Sequence, residues 1–461
     1  MTFTPESALQ QPAVSLLTKL LQRNRDSGEG GTYAVCCGHK DVIEAAIQQS
    51  LKDGSILHVE STSSQVNQFG GYTGLNPGAF AEYLHSAAAK EGLPQARILL
   101  GGDHLGPFPW RTEPTTSAME KGCKLVEACV RAGYRKIHLD ASMPCVDDAE
   151  LSESEMARRA ALLCRAAEGA ATESTDFGRP VYVIGTEVPA PGGEASGAQA
   201  PAVTTPADVE RTLEIFRAAF AQEGLASVWG RVIALVVQPG VEFGSNSIFA
   251  YDPSKTRVLS NALADHPGLV FEAHSTDYQS PEALAQMVGD HFAILKVGPW
   301  LTFAYREAVL ALSAIERELF QPAKARVISQ VRGALVEAMQ EDSRQWRSYY
   351  QGDEAEINRD LIYAYSDRCR YYWHVASVQR ELDLLLTNLA TVSIPMTLVS
   401  QYLPQEYDAI RAGALQISAQ AIIHYHIQSV LSVYSDACSS QDVIRSRKLE
   451  SGTGQYPMKE N

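Results

Sequence analysis

The stretch ARILLGGDHLGPFPWRTEPTTSAMEKGCKLVEACVRAGYRKIHLDAS, residues 96–142, decides the fold. It opens on an apolar run (Ala96–Gly102), crosses a segment of helical periodicity (Ser117–Gly133) and closes on a second apolar run (Lys136–Ser142). Both runs are apolar on successive positions, which suits strands covered on both faces, as in a parallel sheet. The unit recurs along the chain. Further runs occupy Thr32–Cys37, Ser55–Glu60, Val181–Val188, Arg231–Gln238, Gly268–His274 and Phe292–Gly298, making eight. Amphipathic segments such as Asp41–Leu51 and Asp208–Gln222 separate them, and Thr205-Pro206 and Ser280-Pro281 mark helix starts. Eight strand–helix units over about 290 residues predict an α/β fold, a (β/α)8 TIM barrel. A doubly wound open sheet is the rival. It usually carries GxGxxG after its first strand. That pattern is absent, and Gly28-Glu29-Gly30-Gly31 precedes the first run.

Beyond residue 320 periodic helices dominate, with aromatic patches at Trp346–Tyr350 and Tyr371–Ser377. The expected organisation is a barrel with an N-terminal helix over 1–320, a helical extension packed on it over 321–438, and a flexible polar tail over 439–461. Composition is that of a globular protein, 45% apolar and 20% charged. The 39 basic against 54 acidic residues leave a net charge of −15, which disfavours nucleic acid and anionic membranes. No apolar stretch is long enough to span a bilayer, and the N-terminus lacks a secretory pattern, so a cytoplasmic location is expected. Eight cysteines without a CxxC pair form neither a disulfide framework nor a zinc ribbon.

In such a barrel the working residues sit at the C-terminal ends of the strands. The third run leads into Asp103 and His104, the fourth into Asp140, the fifth into Glu187 with Glu194 further out. The sixth leads into Gln238 and Glu242, the seventh into Glu272, His274 and Asp277, and the eighth contains Lys296. His104, Glu187 and His274 are placed to converge on one divalent metal, for which imidazole and carboxylate suit zinc, manganese, cobalt or nickel. A lone strand-end histidine is ordinarily structural, but the concentration of ionisable residues at one end of the strands is not explained by stability. His138 points the same way as Asp140, so interior and ligand roles are both open to it. His39, His58 and His85 show no pattern that assigns a role, and His424 and His426 fall on different faces of a helix.

The segments GGDHLGPFPW, KIHLDASM, GTEVPAPGGE, FEAHSTDYQ, KVGPWLTFAYREA and YSDRCRYYW resemble those of the GatZ/KbaZ-like family across about residues 10–436. That family is named for the non-catalytic subunit of class II tagatose-bisphosphate aldolase. The resemblance implies a class II aldolase type of barrel, with Asp103 as acid/base, His104 and His274 as metal ligands, and a ligand at Glu187. Two departures stand out. Class II aldolases usually carry a further metal histidine after strand six, where this chain reads VVQPGVEFG, leaving Gln238 as a candidate oxygen ligand or a site built differently. The glycine-rich phosphate loop after the strand-seven histidine is replaced by STDYQS.

Two functions follow from the resemblance. One is a metal-dependent 4-epimerase that interconverts tagatose and fructose, free or as 6-phosphates. The other is a non-catalytic accessory subunit stabilising a separate aldolase. The charged strand ends favour the enzyme. The carbon-4 proton of a 2-ketose is not acidic, so inversion there needs either transient oxidation or cleavage of the bond between carbons 3 and 4. With no dinucleotide fingerprint, no nicotinamide is expected and retro-aldol cleavage is preferred. Asp103 is the first candidate for proton transfer and Asp140 the second, with Glu187 a further catalytic candidate. Lys296, Asp277, Arg368 and Arg370 are candidates for substrate binding, the cations for a phosphate. The partners expected are a ketohexose or its phosphate and either a second copy of the chain or an aldolase catalytic subunit.

Overall fold

The computed structural model describes residues 12–173, 178–186, 200–320 and 326–439. The eight apolar runs form eight parallel strands: β1 (Thr32–Val35), β2 (Leu57–Thr62), β3 (Ile98–Leu105), β4 (Lys136–Leu139), β5 (Val181–Ile184), β6 (Val232–Val237), β7 (Val270–Ala273) and β8 (Ile294–Val297). They close in the order β1-β8-β7-β6-β5-β4-β3-β2, each strand beside its neighbours in sequence, as the (β/α)8 reading requires. The expected caps are present. Thr205 and Asp208 form a reciprocal capping box, and Ser280 accepts from the Ala283 amide.

The pleat sorts the strand residues by parity. Outward positions such as Leu57, Val59, Ile137, Leu139, Tyr182, Ile184, Leu295 and Val297 pack against the surrounding helices in the large core. Inward positions differ with height. At the N-terminal end Leu99, Val181, Val270 and Ile294 meet Ala13, Leu17 and Leu21 of the N-terminal helix (Ala13–Ser27), which closes the barrel floor. One layer higher the interior is charged, with Glu60, Lys136, Glu272 and Lys296 buried together. Gly101 allows this. A Cβ there would meet Glu60 Cγ at 2.9 Å and the Lys136 carbonyl at 3.0 Å, so a larger residue would push Glu60 out of its place.

The C-terminal helices are woven into the barrel. The last helix (Ala419–Cys438) lies against the first barrel helix (Lys40–Asp53) and the helix after β8 (Pro299–Phe320). Its Tyr434 hydroxyl donates to the Thr276 carbonyl at 2.8 Å, just beyond β7. A short turn, Arg368–Tyr372, is fastened over the mouth by Asp367, which pairs with buried Arg306 and accepts from Thr302 Oγ1 at 2.6 Å. Among the described residues no helix is long and apolar enough to cross a membrane. The tail expected from 439 lies outside the described residues beyond Ser439.

Candidate active site

The ends of β3 and β7 carry unusual backbone. The pairing of β3 with β4 slips between Gly102 and Leu105, and His104 takes a φ of 48°. Beyond β7, Ser275 and Tyr278 take φ of 53° and 64°. Residues with a Cβ rarely adopt this region, and it is held only where surroundings over-determine it. Here the slip turns both Asp103 and His104 toward the mouth instead of sending one of them outward.

Three imidazoles meet there. The rings of His104, His138 and His274 lie 5.0–5.2 Å apart, centre to centre, and all three are buried. His104 Nδ1 lies 2.8 Å from Asp140 Oδ2, while its Nε2 lies 3.7 Å from Asp103 Oδ2. His138 Nδ1 is 3.0 Å from Asp103 Oδ1, and its Nε2 is buried with no partner. His274 Nε2 is 3.0 Å from Glu272 Oε1. Burial pushes His274 down to about 4, so its ring is neutral at physiological pH. His104 is held up instead, because Asp103 and Asp140 outweigh its burial. Burial would raise Asp103, but His104, Lys296 and the His138 hydrogen bond hold it well below the usual carboxylate range.

Beneath the histidines lies the charged layer. Lys136 Nζ is 2.6 Å from both Glu60 Oε1 and Glu272 Oε2. Lys296 Nζ contacts Glu60, lies 2.9 Å from Asp103 Oδ1 and 3.6 Å from Glu272 Oε1. Three carboxylates thus face two ammonium groups, a surplus that a divalent cation would offset. Asp103, His138, Glu272 and His274 bring one ligand atom each within 4.8 Å of one another. Together with the orphaned His138 Nε2, this donor set fits a metal of the kind that imidazole and carboxylate bind. Asp140 would orient His104 as the carboxylate behind a metal-ligating histidine does.

A cavity of 830 Å³ opens above this cluster, and Asp103, His104, His274, Asp277 and Lys296 line it. Its opposite wall comes from the C-terminal helices, through Arg344, Tyr349, Arg368, Arg370 and Tyr371. Arg368 stacks 3.2 Å from the Tyr349 ring centre, and Arg370 donates to the Ser366 and Asp367 carbonyls and to the Tyr371 hydroxyl. Among the described residues no carboxylate pairs with Arg370, and two of its five guanidinium N–H donors remain for a ligand.

The structure therefore brings together Asp103, His104, Asp140, His274, Asp277, Lys296, Arg368 and Arg370. Asp140 differs from the expectation of a second proton carrier. Both its oxygens are committed, one to His104 and the other to Ser142. Lys296 differs too, since its ammonium is held among carboxylates and not presented to a phosphate. Gln238 is not drawn into the cluster. Its Oε1 accepts from the Gly240 amide at 2.8 Å, closing the turn after β6. Glu187 and Glu194 lie outside the described residues. Sequence reading missed Glu60 and Lys136 and gave His58 no role, yet His58 Nε2 sits 2.7 Å from Glu60 Oε1 in the same layer. The signal was strand parity, because these residues alternate with outward apolar positions in LHVE and KIHL.

Comparison with known proteins agrees with this architecture. Residues 17–439 match the family described as D-tagatose-1,6-bisphosphate aldolase subunit GatZ/KbaZ-like. A crystal structure from Sinorhizobium meliloti 1021, described as a probable tagatose 6 phosphate kinase, is 40% identical with a TM-score of 0.80, covering 88% of this chain and 100% of that one. A fructose-bisphosphate aldolase from Campylobacter jejuni is 13% identical with a TM-score of 0.41, covering 83% and 95%, too distant to argue from.

Proposed function

The chain belongs to the D-tagatose-1,6-bisphosphate aldolase subunit GatZ/KbaZ-like family, and on that premise we propose that it is itself an enzyme, a metal-dependent ketohexose 4-epimerase. Its substrates are tagatose and fructose, or their 6-phosphates, and its route is retro-aldol cleavage followed by re-addition. The observation that carries this reading is the convergence of three buried imidazoles on Asp103 at the floor of the cavity. An accessory subunit has no use for that assembly. The family's description as an aldolase subunit supports the rival reading by association alone.

His138, His274 and Glu272, with His104 beside them, would hold a divalent cation. Such a cation supplies a Lewis acid for negative charge developing on the substrate oxygens. The chain's own residues do the rest. Asp103, ionised among His104, His138 and Lys296, takes the proton of the carbon-4 hydroxyl as the bond between carbons 3 and 4 breaks. Lys296 keeps that carboxylate charged and fixed. The C-terminal wall covers the cavity and keeps the reactive fragments from solvent, with Arg368 and Arg370 facing the distal end of the sugar. Rotation of the aldehyde before re-addition inverts carbon 4. Asp103→Asn keeps the shape of the site and removes the proton acceptor. Epimerisation should fall by ~10²-fold or more while the fold persists. A folded variant turning over near the wild-type rate would remove Asp103 from the chemistry.

A further inference from the structure

Asp277 lines the same cavity as Asp103, from the loop that follows β7. Its strand, β7, is four places from β3 around the ring in either direction, and both carboxyls line the cavity. The loop that carries it is fixed. Thr276 Oγ1 donates to the Lys296 carbonyl at 2.7 Å, Tyr434 holds the Thr276 carbonyl, and Ser275 and Tyr278 flank the site in left-handed conformations. Asp277 Oδ1 accepts from the amides of Gly298 at 3.0 Å and Trp300 at 2.8 Å, where the helix after β8 begins. Among the described residues no hydrogen bond from another residue reaches Oδ2. One oxygen anchors the group and the other is left for a ligand in the cavity.

We propose that Asp277 is the second proton-transfer residue of the epimerisation, donating to the carbon-4 oxygen after the aldehyde fragment has turned. The inference rests on the retro-aldol epimerase reading. Inversion places the product's carbon-4 oxygen on the face opposite to the substrate's, while carbons 1 to 3 stay in place. A single carboxyl cannot serve both faces without moving. In the forward step Asp103 takes the carbon-4 hydroxyl proton, the electron pair of the bond between carbons 3 and 4 passes to the carbon-3 fragment, and carbon 4 becomes an aldehyde. Carbon 3 then attacks the other face of that aldehyde, and the new carbon-4 oxygen takes its proton from Asp277. Asp103 now holds the proton that Asp277 has lost. Transfer through solvent in the cavity, or a reverse turnover, restores the starting state.

The surroundings suit this division. Burial pushes Asp277 up to about 6 against the pull of the two amides and of Arg370, whereas Asp103 is held low. Two carboxyls whose environments separate them divide acid and base roles. The groups facing Asp277 are Arg370 on the turn over the mouth, Cys37 beyond β1, Tyr278 beside it and Tyr434 on the last helix, and Arg370 is the charged one among them.

The bland alternative is that Asp277 only caps the helix after β8. Asp277→Asn separates the two, because an amide oxygen still accepts from Gly298 and Trp300 but carries no acidic proton. With metal-loaded full-length protein, the variant should melt with the wild type and keep its KM, while kcat drops by ~10²-fold or more. The wild-type kcat/KM profile should show a limb near pH 6 that the residual activity of the variant lacks. A variant within about threefold of wild type that keeps that limb would make Asp277 a cap and nothing more. If the variant does not fold, the wild-type profile decides alone, and a profile flat from about pH 5 to 7 overturns the proposal. A wild type that epimerises no ketohexose would overturn the underlying reading itself, an outcome distinct from loss of the Asp277 role.

Discussion

At the scale of single residues, the site depends on which nitrogen of each histidine is left unprotonated. Asp140 settles this for His104 by accepting from Nδ1, which leaves Nε2 facing Asp103. Asp140→Asn would present an amide N–H to Nδ1 and favour the tautomer protonated at Nε2. Affinity for a divalent metal should fall ~10- to 100-fold with little change in fold, read by competition against a coloured chelator. Unchanged affinity would mean that His104 is not a ligand. The pair Asp103 and His104 was legible in the sequence because the end of a barrel strand is where chemistry is sought. The sequence leaves the contribution of His138 open, since one inward residue does not reveal what faces it. Glu60 and Lys136 were hidden for a different reason. Charged residues inside an apolar run look like interruptions until the pleat shows that they share a face and a height.

Whole elements were easier to read than their partners. All eight strands lie within or overlap the apolar runs, because a strand buried on both faces must be apolar nearly throughout. That the C-terminal helices pack on the barrel is an expectation of the sequence, but the contacts each of them makes are not legible there, since helical periodicity says which face is buried but not against what. The last helix illustrates this with His426, whose Nδ1 lies 2.7 Å from Glu406 Oε1 and whose Nε2 lies 3.4 Å from Glu307 Oε2. Burial pulls this imidazole down, but the hydrogen bonds to Glu307 and Glu406 outweigh it and raise the group to about 9. A raised folded-state value means that protonation stabilises the fold. The contribution is complete below about pH 6.5 and is lost as pH rises through 9. It amounts to at most ~3 kcal/mol, His426 being only 18% exposed in its side chain. Urea titrations across this range should show stability declining in the wild type and a flatter slope in His426→Gln. Equal slopes would show that the last helix is held by other contacts.

On the scale of the whole molecule, the barrel and the C-terminal helices build one cavity between them. The barrel supplies the histidines and carboxylates. The helices supply the arginine wall, fastened through Asp367 and Arg306. The molecule's net charge of −15 makes that basic wall a local exception, suited to an anionic end of a substrate. A subunit that merely stabilised a partner would need an outer surface, not a lined interior with an orphaned imidazole nitrogen. On the proposed reading, this chain carries out the chemistry alone. The direct measurement takes the purified chain without any other protein, strips it with a chelator, and reloads it with manganese, nickel, cobalt or zinc. It is then incubated with tagatose 6-phosphate and with tagatose, and the sugars are followed by carbon-13 NMR. The corresponding fructose should appear, stop with chelation and return with metal. Folded, metal-loaded protein that forms no fructose, or forms it only when a class II aldolase subunit is added, would contradict that reading.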